Sequence, residues 1–521
     1  MRLVRIVAVA GSVLIATAAC GGGGGSSTGA GGTPVLQIPT DPGVLDPQTS
    51  PGSWGRPMMR MAYDTLVADG PNGVVPQLAE SWDVTPTTAT FKIRDGITCG
   101  NGAAMDAAAV AANFERLKDP AAKVPFTASF LGSTTYKVSF DAAARTVTLA
   151  LPAPFSPLLS NLAAYPGMIC PEGLQHPEKL NEASFGTGPY TLVDVKAGQS
   201  YTFQRRDDYT WGPGGATSKD LPSRVEISVV SNETTAANLM LSGELSLGIF
   251  TARGAYDRLA GDRFASKVVP ASATYMHFNF LKQSSPIQDV AVRRVLAASV
   301  DRAALAKIAT GSADQLSNSV ALPQSPCQRE VTDEGLVRYD TAQVPSLLTG
   351  AGWTKSGNGW TKNGQKLAIN LLVTGPAGAG NKPIADYVLN AWNALGIEVN
   401  VDNVDQKTGI DRRAQGTYDV WLGAWTSVFN PAIISPFLTS PKSPNYSYLA
   451  NAAYNELAKQ AYDMDPEQTC AVWAKAQTAI NEQVSMVPEY YDATHYISSK
   501  GLQFEPYRSF IEPTSLRASS K

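Results

Sequence analysis

The first twenty residues, MRLVRIVAVAGSVLIATAAC, constrain everything that follows them. Arg2 and Arg5 give a basic start, Ile6 to Ala16 a short apolar run, and Ala18-Ala19 a small-residue stretch before Cys20. The run falls short of the roughly 20 apolar residues that a spanning helix needs. Basic, apolar and small in that order is the pattern of a cleaved export signal, so residues 1–19 are expected to be removed. The remainder then folds outside the cytoplasm, where thiols oxidise.

Cys20, followed by Gly21–Gly25 and Ser26, resembles the acylation box of exported lipoproteins, with Cys20 as the lipidated first residue. Residues 20–33 are almost all Gly, Ser, Thr and Ala, a composition that forms a flexible tether and no core. The expected body is held at the outer face of the cell membrane by a lipid anchor without spanning it. About five hundred residues remain, enough for two or three domains. The net charge of −3 becomes more negative when Arg2 and Arg5 leave, which argues against nucleic acid as a partner. Four cysteines stay behind: Cys99, Cys170, Cys327 and Cys470. They allow three pairings, or four buried free thiols, and none has the CxxC spacing of a metal or redox site.

Within the body, Ala89, Phe91 and Ile93 alternate with Thr90, Lys92 and Arg94, the period of a strand with one buried face. Asp95-Gly96 reads as a turn and Asp106 as the N-cap of a helix carrying Val110, Asn113, Phe114 and Leu117, closed by Lys118-Asp119-Pro120. Such a segment needs no catalysis to explain it.

Its residues, "PQLAESWDV" and "TFKIRDGI" followed by "AAMDAAAVAANFERL", resemble the signature of the large extracytoplasmic solute-binding proteins of ABC importers, in the dipeptide, oligopeptide and nickel-binding family. The likeness continues in order through "FGTGPYTL" (185–192), "RRDDYTWGPGG" (205–215), "TTAANLMLSGEL" (234–245), "YMHFNF" (275–280), "IQDVAVRRVLAASVDRAAL" (287–305), "YDTAQVPSLLTGAGW" (339–353), "YDVWLGAW" (418–425) and "MVPEYY" (486–491). It implies an α/β, two-lobed periplasmic-binding-protein fold, type II-like and of the large class, with a subdomain inserted in lobe I. Lobe I would comprise 34–54, 185–275 and 486–521, the inserted subdomain 55–184, and lobe II 276–485. That division places Cys99–Cys170 and Cys327–Cys470 each within one lobe, and these are the expected disulfides.

No enzyme constellation stands out: there is no HExxH, no GxSxG and no catalytic-cysteine signature. Gly375–Lys382 departs from a phosphate loop at Asn381 and Pro383 and reads as an ordinary loop. His176, His277 and His495 lie far apart, and no metal or other cofactor is expected. A binding cleft instead asks for aromatics and a few polar groups at lobe junctions. Trp54 stands near the first junction; Tyr275, His277 and Asn279 at the first crossing; Trp425, Thr426, Phe429 and Asn430 after the strand 419–422; Tyr490, with Tyr491 and Asp492, at the second crossing. In peptide-binding members a loop aspartate holds the ligand's ammonium group, whereas "AWTSVFNP" puts Ser427 or Val428 there. Without that anion a neutral or anionic ligand, a sugar-like molecule or a chelate is expected in preference to a free peptide. The expected partners are a small-molecule ligand (peptide-like, sugar-like or chelate), ABC permease subunits and the membrane, for a monomer. Two rivals are a binding scaffold for sensing or cell-wall regulation, and a secreted hydrolase, for which no nucleophile and base are in view.

Overall fold

The computed structural model of the chain describes residues 32–50, 54–70, 73–125, 127–323, 325–375, 381–426, 431–439, 441, 448–465, 468–507 and 510–518. Fourteen strands carry the architecture. They are β1 Val35–Ile38, β2 Ala79–Val84, β3 Thr88–Ile93, β4 Lys137–Asp141, β5 Thr146–Ala150, β6 Tyr190–Lys196 and β7 Ser200–Arg205, then β8 Arg224–Val229, β9 Leu247–Phe250, β10 Phe264–Phe278, β11 Ala368–Gly375, β12 Glu398–Asp405, β13 Val420–Thr426 and β14 Met486–Ser499.

Ten of them form one mixed sheet in the order β12-β11-β13-β10-β14-β9-β1-β8-β7-β6. At its centre β10 and β14, of 15 and 14 residues, run antiparallel along their whole length. Their outer ends have different neighbours. His495–Ser498 of β14 pair with β9, whereas Ser272–Phe278 of β10 pair with β13. The two strands therefore belong to both halves of the sheet, and their middle is the crossing between two lobes. Register shifts at Pro270/Ser272 and Thr274/Tyr275 mark bulges, which bend and twist a strand pair.

Each half buries both faces. In lobe II one face packs Met276, Val420 and Leu422 against Val295, Leu305 and Trp392, and the other packs Ala273 and Tyr275 against Ile434, Leu438 and Trp473. In lobe I, Leu36, Ile227 and Tyr496 form one core, and Phe250 and Ile497 join Met240 and Leu259 in another.

The separate sheet β2-β3-β5-β4 builds the subdomain. Ala89, Phe91 and Ile93 point into its core, as the alternation predicts, beneath the helix Ala107–Lys118. Asp106 caps that helix by accepting from the Ala109 amide at 2.9 Å. Asn113, read as part of the helix's inner face, is buried as a bracket: its amide donates to the carbonyls of Ala109 and Ile169 and its oxygen accepts from the Ile169 amide. Asp64, fully buried, accepts from Gln77, Tyr209, Thr187 and Trp211, tying the subdomain's root to the chain's return at 185–211. Gly186 and Gly188 lie so close to the Ala62–Tyr63 backbone that a Cβ at either would overlap it. The disulfides are Cys99–Cys170, within the subdomain core, and Cys327–Cys470, beside the Ile434 and Trp473 core.

Candidate ligand cleft

The subdomain stands on lobe I and reaches lobe II. Phe185 packs against both the subdomain core and the Leu36 core of lobe I. At the far side Phe155 stacks on Tyr462 with centroids 5.9 Å apart, and the Ser156 hydroxyl donates to the Ala461 carbonyl at 2.9 Å. Tyr462 also packs on the Ile434 and Trp473 core of lobe II. These contacts fix which side of the crossing strands the subdomain covers.

On β14, Asp492, Thr494 and Tyr496 alternate onto the face that packs, through Tyr496, into the Leu36 core. At the lobe II end the opposite alternation, through Ala273 and Tyr275 of β10, packs into the Ile434 core, with Trp425 and Tyr491 against it. The subdomain meets the Leu36 core of lobe I and the Ile434 core of lobe II, and the two bulges lie in the stretch between them. Trp425 and Tyr491, in register with Ala273, face the covered side, whereas Asp492, in register with Ser272, points to the opposite face. On the reverse side Arg253 donates to the Gly311 carbonyl at 3.4 Å.

His277 sits deepest. Its ring stacks on Trp421 at 4.3 Å and 13°, and its Nε2 lies 3.2 Å from Nε1 of Trp425. An indole N–H only donates, so Nε2 accepts and the neutral imidazole carries its proton on Nδ1, which is buried with no partner among the described residues. Burial holds the pKa of His277 well below the usual histidine range, and the Arg413 guanidinium, 4.0 Å above the Trp421 ring, pushes the same way. The residue stays neutral at physiological pH.

Two carboxylates stand farther along the crossing strand β14. Glu489 is fully buried, and burial pushes its pKa up to about 7 despite Arg302, whose Nε is 3.9 Å away. Asp492 is half-buried, accepts from the Ser272 hydroxyl at 3.2 Å and is pushed up to about 6 by desolvation.

The residues expected at the cleft divide. Trp425 is half-buried on the covered side, and His277 lies behind it. Trp54 is half-buried against the lobe I core. Thr426 ends β13 opposite Ser272. Three positions are corrected. Tyr275 is fully buried with its hydroxyl donated to the Val320 carbonyl at 2.9 Å. Asn279 spends its amide on the carbonyls of Gly416 and Tyr418, at 3.0 and 2.9 Å. Tyr490 belongs to the lobe II core with Val487 and Leu422. None of the three offers a group to a ligand in this arrangement. Phe429, Asn430, Ser427, Val428 and the lipidation candidate Cys20 lie outside the described residues. The sequence reading passed over Glu489, although an acid inside "MVPEYY", a strand otherwise apolar, is itself a signal. Among the described residues no group of three or more His, Cys, Asp or Glu is placed to hold a metal ion, and no helix is long and apolar enough to cross a membrane.

The pattern of the bacterial extracellular solute-binding proteins, family 5 Middle, matches residues 73–447. The chain belongs to that family. Curated relatives of this family 5 chain include the periplasmic murein peptide-binding protein MppA of Escherichia coli, 23% identical over 487 residues, covering 88% of this chain and 87% of that one. The nickel-binding periplasmic protein of Escherichia coli is 26% identical over 477 residues, covering 86% and 87%. Among solved structures, a substrate binding protein from Microbacterium hydrocarbonoxydans, complexed with 4-hydroxybenzoate hydrazide, superposes with a TM-score of 0.73 at 27% identity, covering 94% of this chain and 100% of that one. The relatives are substrate-binding proteins of transporters, and this family 5 chain is a solute-binding protein of the ABC-importer type and not an enzyme.

Proposed function

We propose that the chain is the substrate-binding lipoprotein of an ABC importer, acylated at Cys20, tethered by residues 20–33, and delivering a small solute to a membrane permease. The observation that carries the reading is the pair β10 and β14, continuous through both lobes, with half-buried aromatics beside their crossing. A ligand that touches both lobes favours the closed arrangement by its differential contacts, and the closed form is what a permease would receive.

In this reading lobe I is 34–54, 185–275 and 486–521, the inserted subdomain 55–184 and lobe II 276–485. Trp54, Trp425, Thr426 and the loop with Phe429 and Asn430 line the gap, and His277 orients Trp425. The solute is peptide-like, sugar-like or a chelate, and the binding unit is a monomer. Binding moves no bond, so the energy of transport comes from ATPase subunits elsewhere.

The test is isolation of the chain from its native membrane under crosslinking, followed by mass spectrometry of small molecules released on denaturation. A released solute together with crosslinked permease peptides is expected. A chain that crosslinks to no permease, with or without a solute, overturns the import reading in favour of sensing. Substitution Cys20→Ala should move the chain from the membrane to the soluble fraction, and retention in the membrane overturns the lipid anchor.

A further inference from the structure

Along β13, Trp421, Gly423 and Trp425 alternate onto one face, the face that β10 lines with Ala273, Tyr275 and His277. Gly423 keeps that face clear between the two indoles. A Cβ there would overlap Nε1 of Trp421. Trp421 is clamped in place: its N–H donates to the Thr374 hydroxyl at 3.1 Å, and its ring carries the Arg413 guanidinium at 4.0 Å. The His277 imidazole stacks on that clamped ring at 4.3 Å and 13°, which fixes the imidazole plane. His277 is only 2% exposed, and its Nε2 takes the indole N–H of Trp425 at 3.2 Å.

Trp425 is therefore held at its N–H edge by a residue that is itself immobilised. Phe437 holds it from another side, with ring centroids 5.3 Å apart and the planes at 72°. Tyr491, half-buried like Trp425, shares its register row through Ala273, with no shift within the row. The row thus sets two ring surfaces and a methyl group on one face. An indole has a single polar group, and in Trp425 it is already spent. What Trp425 offers a ligand is ring surface. A sugar brings hydroxyls around its rim that need partners, and a ring surface supplies none. A planar ring has no such need, and a well-placed aromatic pair gains about 0.5–1.5 kcal/mol beyond the area it buries.

We infer that His277 is a positioning residue for ligand selection: by accepting the indole N–H it fixes Trp425 as a platform and withdraws its donor, so the cleft takes a ligand that carries a planar ring. This rests on the cleft reading above and names its ligand class.

Benzamide and cyclohexanecarboxamide share one amide and differ in a flat against a puckered ring. Calorimetry on the full processed chain should find benzamide the tighter by at least about threefold. His277→Leu should weaken benzamide by about 3–10-fold, the size of one net hydrogen bond, and narrow the gap between the probes. His277→Gln keeps an acceptor and should stay within about twofold of the parent, which separates loss of the bond from a fold-wide effect. In a Trp425→Phe background no N–H remains to be held, and His277→Leu should add nothing further. Equal affinity for the two probes, tighter binding of the puckered one, or binding of neither at millimolar concentration overturns the ligand class, while the import reading is decided separately by the permease crosslinks. Benzamide binding that Trp425→Ala abolishes and His277→Leu leaves unchanged overturns the positioning role, and the cleft lining stands. Benzamide binding that neither substitution weakens overturns the inference together with the place of Trp425 in the cleft.

Discussion

Asn279 shows how a single side chain is assigned between two roles. Its carboxamide joins the end of β10 to the carbonyls of Gly416 and Tyr418, which have to be satisfied before β13 can start. Asn279→Ala removes two hydrogen bonds at this junction, a loss of about 1–3 kcal/mol in unfolding free energy by urea titration. Solute affinity of the folded fraction should stay within about twofold, and an affinity loss with unchanged stability would return Asn279 to the cleft. Glu489 sets a pH dependence. Its folded pKa, about 7, lies above its unfolded value of 4.5, so between these the folded chain holds more proton than the unfolded one. Its contribution is therefore present at low pH and lost as pH rises through about 7, by on the order of 3 kcal/mol. His277 has the opposite sense: held neutral when folded, it costs stability as pH falls below its ordinary range. Glu489→Gln should remove the loss that accrues as pH rises from 4.5 to about 7, and leave the His277 effect in place. Parallel stability profiles for the two proteins between pH 5 and 8, taken as about the limits of that window, would refute the assignment.

At the scale of elements, legibility followed periodicity. β3 and the helix Ala107–Lys118 are written in local alternation and a local cap, so they can be read without knowing the rest of the chain. The crossing strands are not. Along β14 both faces are buried in different cores, so no alternation survives, and an aromatic near a lobe junction looks the same whether it lines a gap or fills a core. Tyr275 is decided by the Val320 carbonyl, 45 residues away, and Tyr490 by its neighbours in the lobe II core. Asp492 is visible as a residue, but its hydrogen bond from Ser272 needs the register of β10 and β14. The disulfides were reachable only through the implied division into lobes, since four cysteines alone permit three pairings. Cys327–Cys470 closes 143 residues, and the chain-entropy model gives such a loop about 5 kcal/mol. Replacing both cysteines by serine should lower the unfolding free energy by a large part of that amount. An unchanged denaturation midpoint would mean that the unfolded chain is already constrained there.

For the whole molecule the decisive contact is the bridge from subdomain to lobe II. Phe155 on Tyr462 and Ser156 on the Ala461 carbonyl are where the element standing on lobe I touches the other lobe, on the side that Trp425 and Tyr491 face. If ligand binding favours the closed arrangement, these contacts are part of what the ligand selects, and the apparent affinity falls with the closed fraction. Stacked aromatic pairs contribute about 0.5–1.5 kcal/mol beyond their area. Phe155→Ala should therefore weaken solute binding by about 2–10-fold although it touches no solute, and small-angle scattering of the ligand-free chain should report a larger radius of gyration than for the unsubstituted chain. Tyr462→Phe keeps the stack and loses the hydroxyl's bonds to the Ala432 carbonyl and Ser435, so it should bind nearly as the parent does. Equal affinity and equal scattering for Phe155→Ala would show that the bridge persists in open and closed forms alike, and the motion would then have to be sought within the crossing strands at the Pro270/Ser272 and Thr274/Tyr275 bulges.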